Sequence, residues 1–280
     1  MLPNARPDTA TFDETAARAS DALLLLAPGR LFLGAYDSSN AVPLLDESFP
    51  RGGGEADEFR NRYFEHDLFS LPFRSLALLA DRGEVYSLAP KELLADESLY
   101  DLWLPGLGAG ERVLKEEPED QEFGVLFPVH EELKAFAERS FGRFRFAHPV
   151  TGLLQAALLA SRKSSRGCLY GCLSGSGTGE ILDLVHASEG RVLFANRFRL
   201  HGEADALYYI TAVWRSEGLD QASDELRLFA DEPEERFLST PASLKDAVRR
   251  YGVNEYGAIG KERPGAEAFP AALRLRMLCA

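Results

Sequence analysis

Cysteine is scarce in this chain. The only three, Cys168, Cys172 and Cys279, make an odd count and no disulfide framework. Cys168 and Cys172 lie four apart in a segment that reads as a strand, so both point to one face. With no second Cys or His pair nearby they fall short of a zinc site and read as small buried hydrophobes. Positive charge is also short: 31 Lys and Arg stand against 44 Asp and Glu, a net charge of −13. Without a basic stripe such a surface repels phosphate backbones, which argues against a nucleic-acid partner. Long apolar runs are missing as well. The longest, Leu23 to Ala27, is far below the roughly 20 residues of a spanning helix, so no membrane span is expected. The first twenty residues carry Asp8, Asp13 and Glu14 and no apolar core, unlike a secretory signal, and the expected location is the cytoplasm. The five histidines are scattered, with no His-x-x-x-His or His-Glu-x-x-His spacing.

What is present describes a globular chain of one or two domains: 280 residues, 45% hydrophobic and 27% charged. It also repeats itself. Gly54-Glu55-Ala56-Asp57 recurs as Gly202-Glu203-Ala204-Asp205 at an offset of 148. Phe49 and Phe198 end the apolar runs before each copy, Leu79-Ala80-Asp81 matches Phe229-Ala230-Asp231, and Pro90 matches Pro241. The offset rises in order from 148 through 149 and 150 to 151, where chance matches would scatter.

Periodicity supplies the content of each copy. The first opens with Ala22–Leu26, turns at Pro28-Gly29, returns through Leu31–Tyr36, turns at Ser38-Ser39-Asn40 and leaves through Val42–Leu45. The second runs through Cys168–Leu173, a Gly-rich turn from Ser174 to Gly179, Ile181–Ala187, a turn at Ser188-Glu189-Gly190, and Val192–Phe198. Each is a three-stranded meander. A helix follows each, marked by Phe59, Tyr63 and Phe64 in one and by Leu207, Ile210 and Trp214 before Gly218 in the other. Then come the strands Ser75–Ala80 and Leu226–Ala230, and a helix expected to start near Pro90 or near Pro241, the latter with Thr240 as N-cap. Strands at Phe123–Val129 and Arg143–Ala147 and helices at Glu131–Phe141 and Val150–Ala160 lie between the copies. The acidic Glu116–Glu122 reads as a solvated turn. The polar stretch Ser161–Gly167 reads as the boundary, giving a tail 1–20, a first subdomain 21–161 and a second 167–280.

Meander, helix, strand, helix and strand, twice over, resemble the tandem ribonuclease-H-like subdomains of the actin, Hsp70 and sugar-kinase superfamily, an α/β fold. Arg191–Phe198, Glu203–Tyr209 and Tyr86–Leu93 are further similar to a Bacteroidetes-type family of unknown function with an actin-like fold. The resemblance runs from about Asp21 to Ile259. It implies a fold and carries no activity.

Members of that superfamily that hydrolyse ATP use the turn between the first two strands of each copy as a phosphate loop, with a carboxylate that organises Mg²⁺ or water. Here the first turn, Leu26-Ala27-Pro28-Gly29-Arg30, has no Asp, Glu, Ser or Thr. Arg30 is its one group able to attract an anion. The second turn looks more like a phosphate loop, with Ser174, Ser176, Gly177 and Thr178, yet Leu173 stands where the aspartate is expected. It lacks the Gly-Lys-Ser/Thr of a Walker loop, and Ser174 sits in a hairpin instead of a strand-to-helix elbow. No catalytic residue, metal ligand or cofactor is assigned. The expected function is a non-catalytic actin-like scaffold holding an unidentified protein partner. The alternative is a nucleotide-binding switch or kinase-like phosphotransferase using the cleft between subdomains, with Asp37 or Asp183 taking over metal binding and Ser174, Ser176, Gly177, Thr178 and Arg30 holding the nucleotide.

Overall fold

A computed structural model describes residues 12–27, 29–49, 55–81, 83, 86–118, 121–163, 167–175, 180–220, 222–230 and 264–278. The chain forms two compact units, Met1–His148 with Arg263–Phe269, and Pro149–Glu262 with Pro270–Ala280.

The first unit begins with helix α1 (Glu14–Ala19), inside the stretch read as a tail. Asp13 caps it, its carboxylate accepting the Ala16 N–H at 2.9 Å. Strands β1 (Asp21–Ala27), β2 (Arg30–Tyr36) and β3 (Ala41–Ser48) form the antiparallel meander, and β4 (Ser75–Ala80) joins β1 in parallel. Between them lies α2 (Glu55–Glu65). Leu23, Leu24, Leu26, Leu31, Phe32, Leu33, Leu78 and Leu79 are all buried, which accounts for the near-continuous apolar lettering of these strands.

A smaller sheet follows, made of β5 (Ser87–Pro90), β6 (Glu111–Glu116) and β7 (Phe123–His130) in the order β5-β7-β6. Pro90 therefore ends a strand and caps a single 3-10 turn at Lys91–Leu93, instead of starting a helix. It pairs with Phe123 from the sheet edge, where a residue without an N–H is tolerated. The short helix α3 (Tyr100–Trp103) covers this sheet, with Tyr100 and Leu104 buried against Ala89 and Leu126. Next, α4 (Glu131–Ser140) buries Leu133, Phe136 and Ala137, and β8 (Phe144–Ala147) completes the order β3-β2-β1-β4-β8.

The second unit starts with α5 (Val150–Lys163), which buries Val150, Leu153, Leu154, Ala157 and Leu158. Strands β9 (Cys168–Gly175), β10 (Glu180–Ser188) and β11 (Arg191–Leu200) repeat the meander. After α6 (Glu203–Ser216), β12 (Glu225–Ala230) joins β9 in parallel, giving β11-β10-β9-β12. Helix α7 (Ala271–Leu278) packs on α5. A Cβ on Gly152 would stand 2.7 Å from the Arg276 backbone nitrogen, so glycine sets how near these two helices lie. The chain thus changes compact unit between His148 and Pro149, and α5, counted with the first half by element order, packs with the second.

The repeated Gly-Glu-Ala-Asp marks a helix start in both copies, since Glu55 and Glu203 are the first residues of α2 and α6. Asp205 shows its use: the carboxylate accepts the His201 N–H at 2.7 Å in the turn that opens α6. Gly218, with φ +66°, follows the end of α6 in a conformation costly for other residues. Pro241 and Thr240 lie outside the described residues.

Candidate functional site

The first phosphate-type turn is short. Gly29 turns the chain at φ +79°, and its carbonyl is taken by the Phe49 N–H at 2.9 Å. Arg30 leaves the turn at the start of β2 and binds Asp46 of β3 through two hydrogen bonds, Nε at 2.9 Å and Nη2 at 3.0 Å. Its guanidinium carbon lies 5.9 Å from the centre of the Phe32 ring. The cation read as an anion attractor is thus held by the protein's own carboxylate in a bidentate fork.

In the second turn, Ser174 pairs with Ile181 and Gly175 with Glu180, so both belong to the hairpin ladder. Ser176, Gly177 and Thr178 lie outside the described residues. Leu173, at the aspartate position, packs against the apolar cluster of the second unit.

The two carboxylates considered as replacements have other work. Asp37, just after β2, accepts the N–H groups of Ser39 (2.7 Å) and Asn40 (2.9 Å) and the Ser39 hydroxyl (2.8 Å), which makes it the organiser of a tight turn. Asp183 of β10 binds Arg197 of β11 through two bonds of 2.8 Å each. Both side chains of this pair are about 95% buried, at 5% and 4% exposure.

Sequence reasoning missed a set of buried polar side chains at the carboxyl ends of the parallel strands in the first unit, the place where open α/β sheets present ligand-binding groups. Asp81 directly follows β4 and His148 directly follows β8; both are buried. Asp81 accepts the Gly83 N–H at 2.9 Å, and its own N–H reaches the Leu26 carbonyl at the end of β1. The His148 N–H donates to the Glu116 carboxylate at 2.9 Å, and its ring centre lies 5.2 Å from that of Tyr86 and 5.4 Å from that of Phe127. Glu116 is therefore the buried last residue of β6, where a solvated turn was expected. The available signal was positional: each of Asp81 and His148 closes an apolar strand.

The second unit buries polar side chains as well. His186 Nδ1 lies 3.0 Å from Glu217, next to the end of α6. Cys168 and Tyr170 share a face of β9, and Arg227 donates to the Tyr170 hydroxyl at 3.2 Å while lying over its ring. Burial pushes the Cys168 thiol up to about 12 and raises Tyr170 as well. Cys172 is buried too, as expected for small apolar side chains; Cys279 lies outside the described residues. No group of three or more His, Cys, Asp or Glu among the described residues is arranged to hold a metal ion.

A meander joined in parallel by a fourth strand, present in both units, is the architecture of the actin-like ATPase fold. The chain superposes on a protein of that fold and of unknown function from Bacteroides thetaiotaomicron with a TM-score of 0.76, at 17% identity, over 94% of this chain and 98% of the other. It superposes on a chain of the PilM-PilN type IV pilus biogenesis complex with a TM-score of 0.55, at 15% identity, over 94% and 99%. At these identities the likeness establishes the fold alone. Within it, residues 11–251 match the profile of a family described as "Protein of unknown function (DUF3822)", and the chain belongs to that family. No curated protein matches the sequence. No helix among the described residues is long and apolar enough to cross a membrane.

Proposed function

We propose that this protein is a non-catalytic actin-like module that holds another protein and does not use the ATP chemistry of its fold. The observation that carries the reading is the state of two charged groups considered for the nucleotide and its metal, Arg30 at the first meander turn and Asp183 of β10. Arg30 is forked onto Asp46, and Asp183 is forked onto Arg197 in a dry setting. A metal-nucleotide complex needs a carboxylate for the ion and a cation or amide cradle for the phosphates. Recruiting either group here first requires breaking a two-bond ion pair. The net charge of −13 adds repulsion against a triphosphate. The likeness to a chain of the PilM-PilN complex supports the partner-holding half, because that fold occurs there in a complex of two proteins.

Calorimetric titration of the protein with Mg²⁺-ATP, beside thermal unfolding with the same ligand, tests the first half. A ligand at a hundred times its Kd stabilises by about 2.7 kcal/mol, so a working site cannot hide. The expected result is no heat of binding and no shift. Binding in the low micromolar range, or phosphate release lost on changing Ser174, would instead support a nucleotide switch. For the second half, a partner captured by cross-linking in the native cell and then purified should rebind in a defined two-component mixture.

A further inference from the structure

We propose that an aromatic ledge running from the end of α2 to β8 is the docking surface for an acidic amphipathic helix of another protein. This rests on the interaction-module reading and narrows it to one surface, inside the first unit. Phe64, the residue before the last of α2, is 74% exposed. Its ring begins a continuous line: Tyr63 lies 5.4 Å from it, Phe141 5.6 Å from Tyr63, Phe144 5.8 Å from Phe141, and Phe146 5.2 Å from Phe144, all between ring centres. The last four are partly buried, so the line reaches the surface along its length.

The core of this unit does not require Phe64. Phe59, Phe69 and Phe136 are already buried and meet one another edge to face, and Phe64 touches Phe136 from outside at 6.1 Å. A contiguous line of rings with one member mostly in water gains from a partner that covers it.

Charge selects the occupant. Arg139, in the last turn of α4, and Arg143, in the turn before β8, stand two residues to either side of Phe141. Both are exposed, and neither has an ion pair or hydrogen bond among the described residues. The carboxylates that adjoin the ledge in sequence, Glu65 and Glu138, are tied to Arg62 and Lys134. The helix dipole accounts for a cation at Arg139 but not for Arg143. Arg145 acts on Asp21, on the other face of β8, and takes no part. Two unpaired cations beside an apolar line reverse the local sign on a molecule of net charge −13. At physiological salt, charges beyond about 8 Å are largely screened, so a docked acidic segment feels these arginines above the distant surface. The steps along the ledge are near the ~5.4 Å pitch of an α-helix, which suits a partner helix with one apolar residue per turn and acidic flanks. An anionic lipid surface is disfavoured, because such surfaces recruit clusters of roughly four to eight Lys or Arg. A second copy docked face to face is disfavoured too, since it sets the arginines against their equivalents.

The test is fluorescence anisotropy on the full-length protein at about 0.15 M salt, with a labelled helical peptide of about eighteen residues carrying Leu once per turn and Glu on its flanks. The controls are the same peptide with Lys for Glu, a shuffled peptide of the same composition, and the surface variants Phe64→Ser and Arg139→Glu/Arg143→Glu. Binding that weakens about tenfold or more with each control, at unchanged melting temperature of the variants, supports the proposal, as does a charge-reversed variant that prefers the Lys peptide. No binding up to about 1 mM, equal binding of the shuffled or Lys peptide, or unaffected variants overturns it. Two further outcomes overturn it in favour of other occupants: co-sedimentation with phosphatidylserine vesicles that Phe64→Ser abolishes while the peptide stays silent, or a dimer in sedimentation that Phe64→Ser dissociates. A silent peptide with a silent Mg²⁺-ATP titration and a partner bound elsewhere defeats the ledge and leaves the module reading standing; tight Mg²⁺-ATP binding defeats the module reading itself.

Discussion

Removing one member of the Asp183–Arg197 pair should destabilise the second unit severely, and removing both should restore most of the loss. The pair joins β10 to β11 through two 2.8 Å bonds, with side-chain exposures of 5% and 4%. At such burial the surviving charge in a single variant loses the bidentate counter-ion against which it was buried. Breaking a buried pair in this way costs about 3–5 kcal/mol, whereas replacing both partners by apolar residues of similar volume is often neutral. Arg197→Met and Asp183→Leu should each lose about 4 kcal/mol, and the double variant should lie within about 1.5 kcal/mol of the parent. The assay is urea unfolding followed by the fluorescence of Trp214. This residue is buried in the cluster of the second unit, and a Trp103→Phe background removes the only other tryptophan. Singles within about 0.5 kcal/mol of the parent would show that the pair is solvated and replaceable, and the argument that Asp183 is unavailable to a metal ion would fall with it.

Gly152→Ala should cost about 1–3 kcal/mol by urea unfolding, because the new methyl meets the Arg276 backbone at 2.7 Å, while Gly142→Ala, with open space around it, should cost far less. Phe198→Ala should cost about 1.5–3 kcal/mol, below the value for a fully buried ring, because Phe198 is only half-buried on Tyr209. Burial raises the Cys168 thiol from 9.0 to about 12. The unfolded thiol therefore ionises first, and this contribution to stability is complete below pH 9.0 and declines up to about pH 12. Native protein at pH 8 should accordingly alkylate Cys168 far more slowly than urea-unfolded protein, as read by mass spectrometry of the digest; equal rates would refute its burial. Asp21 behaves oppositely: the Arg74 hydrogen bond lowers its carboxyl, so its stabilising share is present above the ordinary value of 3.8 and is lost as pH falls below it. An Arg74→Ala variant should lose that part of the acid dependence in NMR titration of the Asp21 carboxyl.

The amino-acid sequence by itself determined the local elements and their repetition. Apolar runs broken at Pro28-Gly29 and Ser188-Glu189-Gly190 read as antiparallel neighbours, and Gly-Glu-Ala-Asp marks a helix start in both copies, since a first helical turn favours acidic residues. Absence was legible too: the first turn of each meander, Leu26–Arg30 and Ser174–Gly179, contains no carboxylate. Tertiary structure alone decided where charge and polarity end up. Arg30 is sixteen residues from Asp46, and Glu116 is thirty-two from His148. Periodicity, which reports only neighbours within a turn or two, is blind to such pairings. The same limit explains Pro90: its letter fits a helix start, but pairing with Phe123 from a sheet edge places it in a strand. It explains α5 as well, whose apolar face was plain in the sequence while the unit that buries it was fixed by packing against β9, β10 and α7.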